Sequence, residues 1–110
     1  MTTYSPEQPD RATLDATWGP AVVMFGTNWC GYCRAADRYV EPVLAAHPQV
    51  PVHAVEDGKG RPLGRSYRVK LWPTMIFLRD GVEVDRVVRP TGRDAVERAM
   101  AQITGGSADL

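Results

Sequence analysis

A strand-like run followed at once by a helix-like stripe, with both cysteines at the join, leaves this chain few architectures. Ala21-Val22-Val23-Met24-Phe25 is a continuous apolar run with the character of a buried strand, and Ala36, Tyr39, Val40, Val43 and Leu44 recur at the 3.6-residue spacing of an amphipathic helix. Between them stands Trp29-Cys30-Gly31-Tyr32-Cys33, which holds the only two cysteines in the sequence. The dithiol therefore falls in the first turn of a helix. Residues three apart on a helix are neighbours, with Cβ atoms roughly 5–6 Å apart, so a small adjustment brings the sulfurs into disulfide range. Unpaired backbone N–H groups at the positive end of the helix dipole favour a thiolate at the first position. Cys30 is the expected nucleophile, and Cys33, one turn further in, the expected resolving thiol.

Two thiols at this spacing could instead share a metal. A closed zinc site wants four ligands, and the chain adds only His47 and His53, both poorly placed for it. A redox dithiol is the better reading.

The rest of the chain supports one domain over residues 10–104, with a flexible arm over 1–9 and a flexible tail over 105–110. At 110 residues it is long enough to bury a core without staples. Thirteen basic and thirteen acidic side chains cancel, so nothing global points to nucleic acid or to an anionic membrane. No apolar run approaches the ~18 residues of a membrane helix. The N-terminus carries neither a basic nor an apolar leader segment, so the protein is expected in the cytoplasm, where a lone Cys-x-x-Cys is catalytic or metal-binding rather than structural.

In order, Arg11 to Trp18 reads as two helical turns burying Leu14 and Trp18, then the strand at 21–26, then the dithiol helix to about Ala46, kinked at Pro42. Val50 to Val55 is a second strand, parallel to the first by a right-handed crossover. A short helix follows around Pro62 to Tyr67, where Arg61, Arg65 and Arg68 would form one basic, solvated stripe. Thr74–Leu78 and Val82–Val88 flank Asp80-Gly81, a strong hairpin signal. Thr91 and Asp94 suggest a capping box for a last helix whose buried face is Ala95, Val96, Ala99, Met100 and Ile103. The order β-α-β, β-hairpin, α predicts an α/β fold, a mixed central sheet with helices on both faces.

A strand leading into Trp29-Cys30-Gly31-Tyr32-Cys33, about forty residues before a Pro73-Thr74 that opens a hairpin, resembles the thioredoxin family across roughly residues 10–104. That resemblance implies the thioredoxin fold and a protein dithiol–disulfide oxidoreductase, probed at Trp29, Gly31, Tyr32, Trp72, Pro73 and Thr74 by its substrate. Pro73 would be cis and face the dithiol, and the Trp72 backbone would pair with an extended substrate peptide. Partners would be protein disulfides and a flavin-dependent, thioredoxin reductase-like electron donor, with no cofactor beyond the dithiol itself and the protein acting as a monomer. The alternative it leaves open is a non-catalytic module that binds a partner in the groove beside Pro73.

The chain also departs from the family. Gly31-Tyr32 is neither the Gly-Pro of typical thioredoxins nor the Pro-Tyr of glutaredoxins, and a potential less reducing than thioredoxin's is expected. Met24 stands where typical thioredoxins bury an Asp that handles the resolving thiol's proton, and Ala54 stands where its lysine partner would be. Glu56 or Asp57 is then the expected substitute base, or water. Arg89-Pro90 replaces a Gly that lets substrate backbone approach closely.

Overall fold

The computed structural model describes residues 1–105; the end of the expected flexible tail, residues 106–110, lies outside the described residues. Eight elements follow in chain order: α1 (Arg11–Asp15), β1 (Pro20–Gly26), α2 (Gly31–Ala45), β2 (Val52–Glu56), α3 (Pro62–Ser66), β3 (Thr74–Arg79), β4 (Val82–Val88) and α4 (Arg93–Thr104). The four strands form one sheet in the order β2-β1-β3-β4. β1 and β2 run parallel, as a strand–helix–strand crossover requires, and the other two pairings are antiparallel.

The alternation of side chains along the two central strands divides the core. Val22 and Met24 of β1 and Met75 and Phe77 of β3 face the helices α2 and α4, meeting Ala36, Val40 and Val43 from one and Val96, Ala99, Met100 and Ile103 from the other. Ala21, Val23 and Phe25 with Ile76 and Leu78 face the opposite layer, against Leu14 of α1 and Leu63 and Tyr67 beside α3. Both faces of β1 and β3 are covered, which is why their sequences read as unbroken apolar runs rather than as alternating ones.

The hairpin between β3 and β4 turns through Asp80 and Gly81, both left-handed, at φ 52° and 79°. Two positive φ values in succession are the type I′ geometry that an Asp-Gly pair favours. A Cβ on Gly81 would also run into the carbonyl of Asp15. The turn is docked there, since the Asp80 N–H donates to the Gly19 carbonyl at 2.9 Å and the Gly19 N–H to Asp80 Oδ1 at 2.7 Å. Gly81→Ala is therefore expected to destabilise the fold by about 1–3 kcal/mol, the scale of a strained left-handed residue, read as a lower denaturant midpoint; an unchanged midpoint would contradict this account of the turn.

Several expectations are corrected. The helix α1 ends at Asp15, so Trp18 leaves the register that buries Leu14 and is 85% exposed. The residue capping α4 is Gly92, with no side-chain bond, so Thr91 and Asp94 form no capping box. Because α3 stops at Ser66 and Arg68 sits at φ 59°, Arg61, Arg65 and Arg68 share no helical stripe.

The segment expected to be a flexible arm is tied down instead. The Ser5 N–H donates to the Ala54 carbonyl and the Glu56 N–H to the Ser5 carbonyl, each at 2.8 Å, in a parallel bridge along the edge of β2. An exposed strand edge is a row of unpaired groups, and the arm covers it. Tyr4, the residue before it, is buried in the core cluster that includes Met24 and Cys33.

Candidate active site

The register of the sheet brings three segments to one end. Phe25 pairs with Thr74, and Thr74 with Val88, so the chain leaving β1, entering β3 and leaving β4 all meet there. Those are the segments that carry Cys30, Trp72-Pro73 and Arg89-Pro90.

Cys30 is the N-cap of α2, with extended backbone at φ −79° and ψ 120°. Its Sγ accepts the Cys33 N–H at 3.3 Å, one of the orphan donors of the first helical turn. The sulfur nearest the helix terminus is thus the one that a backbone donor of the first turn reaches, at the positive end of the helix dipole. Both cysteines are free thiols and both are largely buried. Burial pushes the Cys33 thiol up to about 12, reinforced by Cys30 and opposed by the Thr27 backbone and Tyr4. Burial thus holds the Cys33 thiol in its neutral form.

The peptide bond between Trp72 and Pro73 is cis. Trp72 is fixed from two sides, its Nε1–H donating to Asp57 Oδ2 at 2.8 Å and its ring set edge-on to Trp29 with centroids 5.8 Å apart. Trp29 and Tyr32 nonetheless remain 74% and 60% exposed. Large aromatic surface left open beside a reactive thiol is what a docking substrate can cover. Gly31 is exposed between them, whereas Thr74 is buried in β3 with its hydroxyl on the Leu71 carbonyl at 2.6 Å. Thr74 holds the turn before Pro73 rather than meeting a substrate through its side chain.

Arg89 gathers the site in a way its position in the sequence did not reveal. It sits at φ 48°, its N–H donates to the Pro73 carbonyl at 3.0 Å, and its Nε–H to the Trp72 carbonyl at 2.8 Å. Its guanidinium lies 3.7 Å above the Tyr32 ring. The carbonyl of Trp72, expected to be open for an added strand, is therefore already occupied. Beside it runs an open groove of about 520 Å³, lined in part by Tyr32, Tyr39, Arg38, Arg89 and Pro90.

The two carboxylates expected to serve Cys33 are engaged elsewhere. Glu56 pairs with Arg61 at 3.5 Å, and Asp57 holds Trp72. Met24 is buried and directly opposite Ala54 in the parallel pairing, so the two apolar replacements occupy adjacent places, as the loss of an ion pair requires. The residues that sequence reasoning missed are Tyr4, whose ring lies against the Cys33 sulfur, and Asn28, which holds it there. A single aromatic in an otherwise polar N-terminal stretch was the available signal.

The thioredoxin family model matches residues 8–102. The structure of reduced thioredoxin 2 from Pseudomonas aeruginosa PAO1 is similar at 51% identity and a TM-score of 0.84, covering 96% of this chain and 97% of that one. The H-type thioredoxin of Fagopyrum esculentum is 31% identical over 67 residues, 61% of this chain and 58% of that protein, so the chain spans little more than half of that relative. The thioredoxin of Chlamydia trachomatis is 31% identical over 85 residues, 76% of this chain and 82% of that protein. With strand, dithiol helix, cis prolyl bond and hairpin in this order over nearly its whole length, the chain belongs to the thioredoxin family.

Proposed function

We infer that the protein is a thiol–disulfide oxidoreductase working as a reductant of protein disulfides. The observation that carries this is the dithiol at the start of α2, where the Cys33 N–H donates to Cys30 Sγ at 3.3 Å. The Cys30 thiolate attacks a substrate disulfide, forming a mixed disulfide and expelling one substrate thiolate, which takes up a proton. The Cys33 thiol then loses its proton and its sulfur attacks Cys30 Sγ. The bond from Cys30 to the substrate breaks, the second substrate sulfur leaves as a thiol, and the protein carries the Cys30–Cys33 disulfide. Two electrons have passed to the substrate.

Trp29, Gly31, Tyr32 and the Trp72-Pro73 turn form the surface on which an extended substrate segment docks, with Arg89 released from the Trp72 carbonyl as it enters. A flavin-dependent, thioredoxin reductase-like donor restores the dithiol, and no cofactor beyond it takes part. The protein acts as a monomer in a reducing compartment, the cytoplasm, which keeps the pair in the dithiol form this direction needs. The family match does not favour the binding-module or metal-site readings.

The direction is tested by mixing the reduced protein with a disulfide-bonded protein and counting thiols on both. Reductase action transfers two electrons per molecule and leaves Cys30–Cys33 oxidised. Failure to reduce any protein disulfide, alongside rapid oxidation of reduced, unfolded substrates by the disulfide form, would reverse the assignment.

A further inference from the structure

Cys33 is buried, and the resolving step requires it to become an anion in that setting. Charge in a low-dielectric site is stabilised by donors already aimed at it. Among the described residues, the groups that bear on this sulfur are the Cys30 thiol, the backbone of Thr27 and the phenol of Tyr4. From β1 the neighbours are apolar Met24 and Gly26, and among the described residues the carboxylate acting on the phenol is Asp37 of α2.

The Tyr4 ring and the Cys33 sulfur converge on Gly26. A Cβ at that position would stand 2.6 Å from Cys33 Sγ and 2.8 Å from Tyr4 Cζ, so the absence of a side chain is what lets the two approach over the end of β1. Tyr4 is only 2% exposed, and its hydroxyl has no hydrogen-bond partner of regular geometry. A buried hydroxyl without a partner is unfavourable and calls for an explanation. Placement against a sulfur supplies one, because a neutral thiol is a poor acceptor and a thiolate a strong one. The arm is built to hold this geometry. Asn28, two residues before Cys30, takes the Tyr4 N–H on its Oδ1 at 2.7 Å and donates its Nδ2–H to the Tyr4 carbonyl at 3.2 Å.

We propose that Tyr4 is a catalytic residue of the resolving step, its phenol donating a hydrogen bond to the Cys33 thiolate as that anion forms and attacks, and again when Cys33 leaves as the Cys30–Cys33 disulfide is reduced. The phenol keeps its proton throughout. Burial raises it further above its ordinary range, so it acts as a donor and not as a base. The proton lost by Cys33 passes to solvent, and the departing substrate thiolate takes one up. The N-terminal arm is thereby part of the active site, in the place where Met24 offers no acid.

This inference rests on the oxidoreductase reading, and one experiment separates the two. Reduced protein is mixed in a stopped-flow instrument with an aromatic disulfide whose free thiolate is coloured. The first release reports attack by Cys30, and the second, resolution by Cys33. Tyr4→Phe keeps the ring and its packing and removes only the hydroxyl. The first release is expected to be unchanged, and the second to slow on the order of tenfold to a hundredfold, the scale of losing one donor to a developing anion, with its pH profile displaced to higher pH. Asn28→Ala, which loosens the arm, is expected to slow the same release. A Tyr4→Phe protein whose second release keeps the wild-type rate and pH profile overturns the proposal, most clearly if its thermal midpoint rises because an unsatisfied hydroxyl has gone. Absence of the first release in the wild type would overturn the oxidoreductase reading instead.

Discussion

Serine in place of Cys33 is expected to turn the protein from a catalyst into a trap. The N–H that donates to Cys30 Sγ belongs to the backbone of residue 33 and survives the substitution, as does the cap of α2. Cys30 therefore still attacks. With no second sulfur, the mixed disulfide persists, and turnover should fall by at least about a thousandfold, as it does when one member of a catalytic unit is removed. Mass spectrometry after mixing with a disulfide-bonded protein would show a stoichiometric covalent complex that dithiol reagents release. Cys30→Ser should form no complex at all. Sustained turnover by Cys33→Ser would mean that substrate thiols or a second molecule resolve the intermediate.

The resolving step should also depend steeply on pH. Cys33 is an acid whose neutral form burial favours, moved from 9.0 to about 12, with the bond and charge of Cys30 reinforcing the burial. In the mixed disulfide Cys30 no longer contributes, but the burial stays, so the thiol remains above its ordinary range. The rate of the second release is then expected to rise about tenfold per pH unit through the neutral range, following the thiolate fraction. A plateau at neutral pH would indicate an internal base that, among the described residues, the side chains around Cys33 do not provide. Stability follows the same sign. A folded value above the unfolded one gives a contribution that is fully present below pH 9.0 and is lost as pH rises through about 12. The disulfide form has no thiol to titrate, so reduced protein should lose stability relative to oxidised protein across that alkaline window.

What could be read from the sequence was mostly local. The apolar runs of β1 and β3, the stripe of α2 and the Asp80-Gly81 turn are each specified within a few residues, and each appears where the pattern places it. The dithiol was legible for the same reason, because a helix start is a local event. Contacts made across the chain were not. Tyr4 meets a sulfur 29 positions away, being residue 4 against residue 33, and Ser5 bridges to Val55. Beyond the lone aromatic Tyr4, nothing in a polar stretch with two prolines announces either contact. Arg89 was visible as a departure from the family, but its bond to the Trp72 carbonyl depends on a positive φ and on sheet register together. Trp18 shows the opposite error: helical spacing from Leu14 implied burial, and a helix that ends three residues earlier leaves it in solvent.

The central claim is that Cys30 and Cys33 form one reversible redox couple. Equilibrating the protein in graded dithiol–disulfide buffers while following tryptophan fluorescence tests it directly, since Trp29 adjoins the reacting sulfur. A single two-electron transition is expected, at a potential less reducing than the about −270 mV of thioredoxin, and absent from Cys30→Ser. No transition across the accessible range, with both thiols still free by mass, would contradict the account.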